Sequence, residues 1–404
     1  MVQQNGHLAD SDVGFYSGLI ESCFSLSQMM FLIPWSRLAD RIGRKPVLIG
    51  TLSGMAIGQA LFGLSTSLSA MIAFRSLSGI LSGSGVVVRT AIGDVSTVET
   101  RAAAYSWFGF AGNLGMFLGP LVGGALADPA RTMPRFFGQV DVLIRHPYAL
   151  SGLAVAVIIG GSALAAAVGL GETLPEKKLR GHQEEPALSI RQLMACPGVA
   201  AGLAIYVHVM LLAFVFAAIL PLALYTPIHL GGMACSSAAT SVYMAVQGAS
   251  QALWLLLVFP WLQRRIGTKR VLRLCGLAGP LFYGGFVLMN ALLRLDSDVS
   301  RRLFWVVGVV VATVGPGVNM AATCAQLVIQ EVAPDGRSVG LMNALALTLA
   351  SAIRSFVPAV STIVFASGVR SQIIYGYLAW AVLIPLSAAL IVMPSLLPDE
   401  TETN

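Results

Sequence analysis

Eleven long, mostly apolar runs, at 13–35, 46–66, 70–93, 102–127, 148–171, 198–222, 236–259, 271–293, 303–327, 338–366 and 372–396, constrain this chain more than any other feature. A helix of about 20 apolar residues crosses a hydrocarbon layer of roughly 30 Å, and lipid offers backbone N–H and C=O groups no partner outside a helix or a closed barrel. The runs therefore predict an all-α membrane protein with eleven transmembrane helices. Composition agrees, with 56% apolar and 11% charged residues and a mean hydropathy of +0.78, far from soluble proteins. The first run carries too many polar residues (Ser17, Glu21, Ser22, Ser25, Ser27, Gln28) to be a cleaved leader.

The phrase Leu38-Ala39-Asp40-Arg41-Ile42-Gly43-Arg44-Lys45-Pro46-Val47-Leu48 returns as Leu262-Gln263-Arg264-Arg265-Ile266-Gly267-Thr268-Lys269-Arg270-Val271-Leu272, identical at seven of eleven positions. Such a repeat predicts two pseudo-symmetric helical bundles of one plan, a common design around a midplane cavity in secondary transporters. The expected organisation is an N-terminal bundle of five spans over 1–171, a cytoplasmic linker over 172–197 rich in Glu, Lys and Pro, and a C-terminal bundle of six spans over 198–404. One run precedes the first copy of the phrase and two precede the second, so the first helix of the unit is expected to be absent, through an upstream start or through loss. Residues 128–147, with Pro129, Pro134, Pro147 and the pair Phe136-Phe137, fit either an interfacial segment or a lid.

Fifteen of the 25 Lys and Arg residues fall in loops on one side and seven on the other, which puts the basic phrases and the acidic tail Asp399-Glu400-Thr401-Glu402 on the cytoplasmic side and Met1 outside. The net charge of +6 thus belongs to membrane flanks and not to a nucleic-acid surface.

Charges inside spans are costly and point to function. Glu21 lies eight residues past Val13, roughly 12 Å into its helix, and Arg75 enters from the same outer face. A shielded carboxylate with an arginine whose pairing changes between conformations can exchange protons; a paired structural charge is the alternative. Arg354, sixteen residues past Ser338, fits an aqueous cavity that attracts an anionic group, or satisfaction by carbonyls freed near Pro358. His208 can exchange protons, although a lone histidine among Tyr206, Val207 and Val209 is more often a packing residue. Asn113, Gln247, Gln251, Asn319, Gln326 and Asn343 are further polar points for a cavity wall.

Enzyme chemistry finds no footing. Cys23, Cys196, Cys235, Cys275 and Cys324 lack paired spacing, the five histidines lack ligand spacing, and no glycine loop leads into a Lys-Ser or Lys-Thr pair. The sequence implies no metal and no cofactor, and leaves movement driven by a gradient. The expected partners are a small-molecule substrate, protons and the lipid bilayer, with the chain acting as a monomer.

Ser36-Arg37-Leu38-Ala39-Asp40-Arg41-Ile42-Gly43-Arg44-Lys45 resembles the signature loop of the major facilitator superfamily, with Ser36 where that family usually has Gly. Arg75-Ser76-Leu77-Ser78-Gly79 is similar to its fourth-helix motif, and Gly115-Met116-Phe117-Leu118-Gly119-Pro120-Leu121-Val122-Gly123-Gly124 to the fifth-helix motif of its proton-coupled antiporters. Gly14-Phe15-Tyr16-Ser17-Gly18-Leu19, Ala127-Asp128-Pro129-Ala130 and Gly171-Glu172-Thr173-Leu174-Pro175 look like the zinc-induced-facilitator-like branch of the twelve-spanner drug:proton antiporters. The resemblance implies a conformational latch in which Asp40 meets the N-terminus of the helix beginning near Ser338, with Arg41, Gly43, Arg44 and Lys45 around it. Asp94 and Arg101 then pair with Arg41 in the same latch. Arg264 stands where Asp40 does in the second copy, so the latch is one-sided. Gly115, Gly119, Gly123 and Gly124 are expected to let backbones approach closely, and Pro120 to bend the helix. The function implied is proton-coupled efflux by alternating access; an uptake symporter and a non-transporting sensor are the alternatives.

Overall fold

A computed structural model describes residues 10–174, 188–295, 297–335 and 338–398, and no β-strand occurs among them. The long helices are α1 (Asp10–Ile42), α2 (Arg44–Leu64), α3 (Leu68–Ile80), α4 (Ser84–Val95), α5 (Val98–Ala125), α6 (Ala149–Gly169), α7 (Val199–Tyr225), α8 (Ser237–Leu253), α9 (Phe259–Ile266), α10 (Thr268–Arg294), α11 (Asp298–Thr313), α12 (Met320–Glu331), α13 (Ser338–Arg370) and α14 (Leu378–Ala388). Counting helices that continue through a break as one, eight are long and apolar enough to cross a membrane. The other three predicted runs are occupied by α1, α5 and the shorter apolar segment Leu378–Ile391. Between α5 and α6 lie three short helices, Pro129–Thr132, Pro134–Phe137 and Asp141–Arg145. The predicted linker contains a further short helix, Ile190–Ala195, closed by a Ser189–Gln192 capping box.

The two copies of the repeated phrase make the same turn. Gly43 (φ 108°, ψ 156°) ends α1 and opens α2, and Gly267 (φ 80°, ψ 162°) ends α9 and opens α10. Both sit at positive φ, which a side chain rarely tolerates. Pro46 falls in the first turn of α2, where its missing N–H costs no helical bond.

The chain gathers into two compact units, one formed by 1–95, 118–188 and 335–355, the other by 96–117, 189–334 and 356–404. In the first, small residues set the packing, as expected where lipid supplies no hydrophobic push between helices. A Cβ at Gly63 would lie 2.8 Å from the Gly152 backbone, so α2 and α6 touch main chain to main chain. The second unit is cored by aromatics: Phe286 stacks on Trp380 at 4.9 Å, and Phe216 packs on Phe282 at 5.2 Å.

Each unit also contains one interrupted helix tied by an indole. The α3–α4 break frees the Ile80 carbonyl, which accepts from Trp35 Nε1 at 2.6 Å. Between α11 and α12, the 3₁₀ turn Gly315–Asn319 sends the Gly317 N–H to Val314 O and leaves Thr313 O without its helical donor. Trp254 Nε1 (2.8 Å) and Ser250 Oγ donate to it instead, from a helix that itself carries a π-turn at Trp254–Val258 before Pro260.

Candidate functional site

Three charges that are remote in sequence meet in the first unit. Glu21 is eleven residues into α1, about 16 Å; Arg75 is seven residues into α3, about 10 Å; Arg354 is sixteen residues into α13, about 24 Å. Arg75 Nη2 donates to Glu21 Oε2 at 2.8 Å, and Arg354 Nη2 donates to Glu21 Oε1 at 2.6 Å. The Arg75 guanidinium also lies over the Phe24 ring at 4.5 Å and near the Phe62 ring at 5.9 Å, a cation–π seat that fixes its direction. The side chains of Glu21, Arg75 and Arg354 are 36%, 26% and 43% exposed, so the cluster is open on one side.

Arg354, for which the sequence left a cavity or the carbonyls near Pro358, meets a carboxylate from α1. A signal was present in the matched polar faces of the two helices. Ser22 Oγ donates to Ser355 O at 2.9 Å, and Ser351 Oγ donates to Gln28 Oε1 at 2.8 Å.

Further along α1 the same seam turns dry. Leu32, Val86 and Ala344 form a cluster exposed by 1% or less, and the neighbouring Asn343 Nδ2 donates to Thr90 Oγ1 at 3.3 Å. At the loop end, the Asp40 carboxylate and Ser36 hydroxyl lie against Gly340 in the first turn of α13, where a Cβ would stand 3.2 Å from either. Arg44, 1% exposed, donates to Asp40 Oδ1 at 2.5 Å and to Asp94 Oδ2 at 3.2 Å. Asp94 is therefore turned to Arg44, not to the exposed Arg41. Arg101 stands in the first turn of α5, in the other unit.

Glu172 joins this arrangement unforeseen. Its carboxylate accepts the otherwise unpaired backbone N–H groups of Arg44 (2.8 Å) and Lys45 (3.1 Å) at the start of α2, and that of Leu174 (2.9 Å). Partial burial pushes its carboxyl up, but the N–H groups of Leu174, Arg44, Lys45 and Thr173 outweigh that and hold it below its ordinary value.

The remaining sequence candidates do other things. His208 shares a hydrogen bond between its Nε2 and Leu386 O at 2.8 Å, tying α7 to α14 as a packing residue would. Asn113 donates to Gly109 O of its own helix, and Asn319 to Gln251 Oε1 at 3.1 Å. Around the fifth-helix glycines, a Cβ at Gly115, Gly119 or Gly124 would meet nothing within 4 Å among the described residues, and at Gly123 only Ser151 Oγ at 3.6 Å. α5 runs unbroken through position 120. Among the described residues, close backbone approach occurs between Gly63 and Gly152.

A polytopic helical chain with a repeated basic turn, and an ion cluster lying inside its spans, is a membrane transporter in design. The chain belongs to the Major Facilitator Superfamily, whose model matches residues 7–358. It is a multi-pass membrane transporter and not an enzyme. It is 35% identical over 403 residues to efflux pump azaK of Aspergillus niger, covering 100% of this chain and 83% of that protein. It is 25% identical over 380 residues to Protein ZINC INDUCED FACILITATOR-LIKE 1 of Arabidopsis thaliana, covering 90% of this chain and 78% of the relative. The crystal structure of the human organic anion transporter MFSD10 superposes with a TM-score of 0.64 at 20% identity, over 98% of this chain and 87% of that one.

Proposed function

We propose that this chain is a proton-coupled exporter of a small organic molecule, working by alternating access between its two repeated bundles (1–171 and 198–404) and belonging to the zinc-induced-facilitator-like branch. Efflux is supported by the likeness to an efflux pump along the whole chain, and the branch by its likeness to a zinc-induced-facilitator-like protein. The observation that carries the mechanism is the seam between α1 and the first half of α13. It is polar and partly open at Glu21–Arg354 and buried and shut from Leu32 to Asp40. A molecule passing this seam must part both ends in turn, and Glu21 is the acid placed to register protons on the way.

The test is transport in proteoliposomes with an imposed pH gradient. Glu21→Gln loses gradient-driven flux and keeps downhill exchange; a variant whose flux still follows the gradient removes Glu21 from the coupling. An uptake symporter is the second reading, favoured by one detail: a proton on Glu21 releases two guanidinium groups at once, so a proton and an anion would bind together. Reversing the gradient separates the two, because an exporter extrudes substrate when the far side is acid and a symporter takes it up.

A further inference from the structure

We infer that Arg354 and Arg75 hold an oxyanion of the transported molecule, with Arg354 as the receiving guanidinium and Glu21 as a resident anion that keeps both arginines in place while the site is empty. The inference rests on the transporter reading and names its substrate class: an organic acid bearing a carboxylate, sulfonate or phosphate.

Charge counting is the first argument. One carboxylate faces two guanidinium groups, each through a single oxygen, so the cluster is left one positive charge in surplus within membrane-spanning helices. Geometry is the second. A guanidinium has five N–H donors in a planar fork that matches a two-oxygen anion. Among the described residues Arg354 gives one donor to one acceptor, Glu21 Oε1, and at 43% exposed it is the most open of the three side chains. Arg75, seated on Phe24 and Phe62, is not free to swing and serves as the fixed wall. An entering oxyanion completes the charge balance at two positive and two negative groups without expelling Glu21. A neutral or cationic ligand would leave the surplus in place or enlarge it.

The probe is 2-naphthoate, against 2-naphthylmethylammonium as a cation of similar shape, titrated calorimetrically into the full chain in phosphatidylcholine nanodiscs. Naphthoate binds and the ammonium compound does not. Arg354→Gln weakens naphthoate at least tenfold. Glu21→Gln tightens it severalfold, a gain that misfolding cannot produce. Equal binding of the cation, unchanged naphthoate affinity in Arg354→Gln, or weaker binding in Glu21→Gln overturns the inference. Adding phosphatidylglycerol tells which source supplies the oxyanion: a lipid headgroup competes with naphthoate in an Arg354-dependent way, and a soluble acid is indifferent to it. The result is separable from the transport reading. A chain that moves a cation against protons and ignores naphthoate defeats the anion alone, whereas Arg354-dependent naphthoate binding without pH-driven flux defeats the exporter alone.

Discussion

Arg44 is the one charged residue exposed by as little as 1% among the described residues, and it stands between two carboxylates. Its loss removes the guanidinium that Asp40 and Asp94 share. Breaking a buried ion pair from one side costs about 3 kcal/mol, so Arg44→Ala should melt well below wild type in detergent. Arg44→Lys should recover only part, because a single ammonium lacks the fork that reaches both carboxylates. An unshifted melting curve for Arg44→Ala would refute the network.

Glu172 acts on the same turn with its own pH signature. Its folded value lies below the ordinary 4.5, so its contribution is full above that value and fades as pH falls through the lower folded value. The stability gap between wild type and Glu172→Gln should then stay constant from about pH 7 to about pH 5 and close in more acid solution. A gap that closes near neutrality would mean that another group titrates.

At the scale of elements, the helices were written in apolar run length, since lipid leaves the backbone no other choice. The shared turn at Gly43 and Gly267 was equally legible, because a glycine between a helix end and a basic helix start has few other uses. Helix partners were not legible. Gly115, Gly119 and Gly124 share a motif and would meet nothing within 4 Å among the described residues, while Gly63 and Gly152, in no motif, bring α2 and α6 backbone to backbone. A small residue states that an approach is possible, and only the facing helix decides whether it occurs. Gly63→Ala and Gly152→Ala should each cost about 1–3 kcal/mol as overpacking, whereas Gly124→Ala should cost nothing or add up to about 0.5 kcal/mol of helix stability. Thermal melts of the three variants check this, and equal losses at all three positions would overturn the assignment. The Glu21–Arg354 pair was hidden for a related reason. The two residues are 333 positions apart and lie in different copies of the repeat, so no local pattern links them.

For the whole molecule, duplication copies positions and not chemistry. Arg44 pairs with Asp94 at the end of α4, and at the corresponding place in the second copy Thr268 donates to Glu331 at the end of α12 at 2.7 Å. Glu172 caps α2 from beyond α6, while Lys269 reaches from the start of α10 to Pro398 O at 2.6 Å. The carboxylate–guanidinium pairs of Arg44 thus have a hydroxyl–carboxylate counterpart in the second copy, although both phrases carry four charged residues. If the latch and the dry seam above it stabilise one of two states, crowding the seam must shift the balance toward the other. Ala344 is fully buried against Leu32 and Val86, so Ala344→Phe should penalise the shut state by about 1–3 kcal/mol, a shift of roughly tenfold for each 1.4 kcal/mol. Ser22, half-buried and donating to Ser355 O across the seam, is the position to report it. With Cys23, Cys196 and Cys235 replaced by Ser, a membrane-impermeant maleimide added outside should label a Ser22→Cys parent and label it about ten times more slowly once Ala344→Phe is added. Cooperative melting of the variant would show that it still folds, and unchanged labelling in such a variant would mean that the seam does not govern access to the charge cluster.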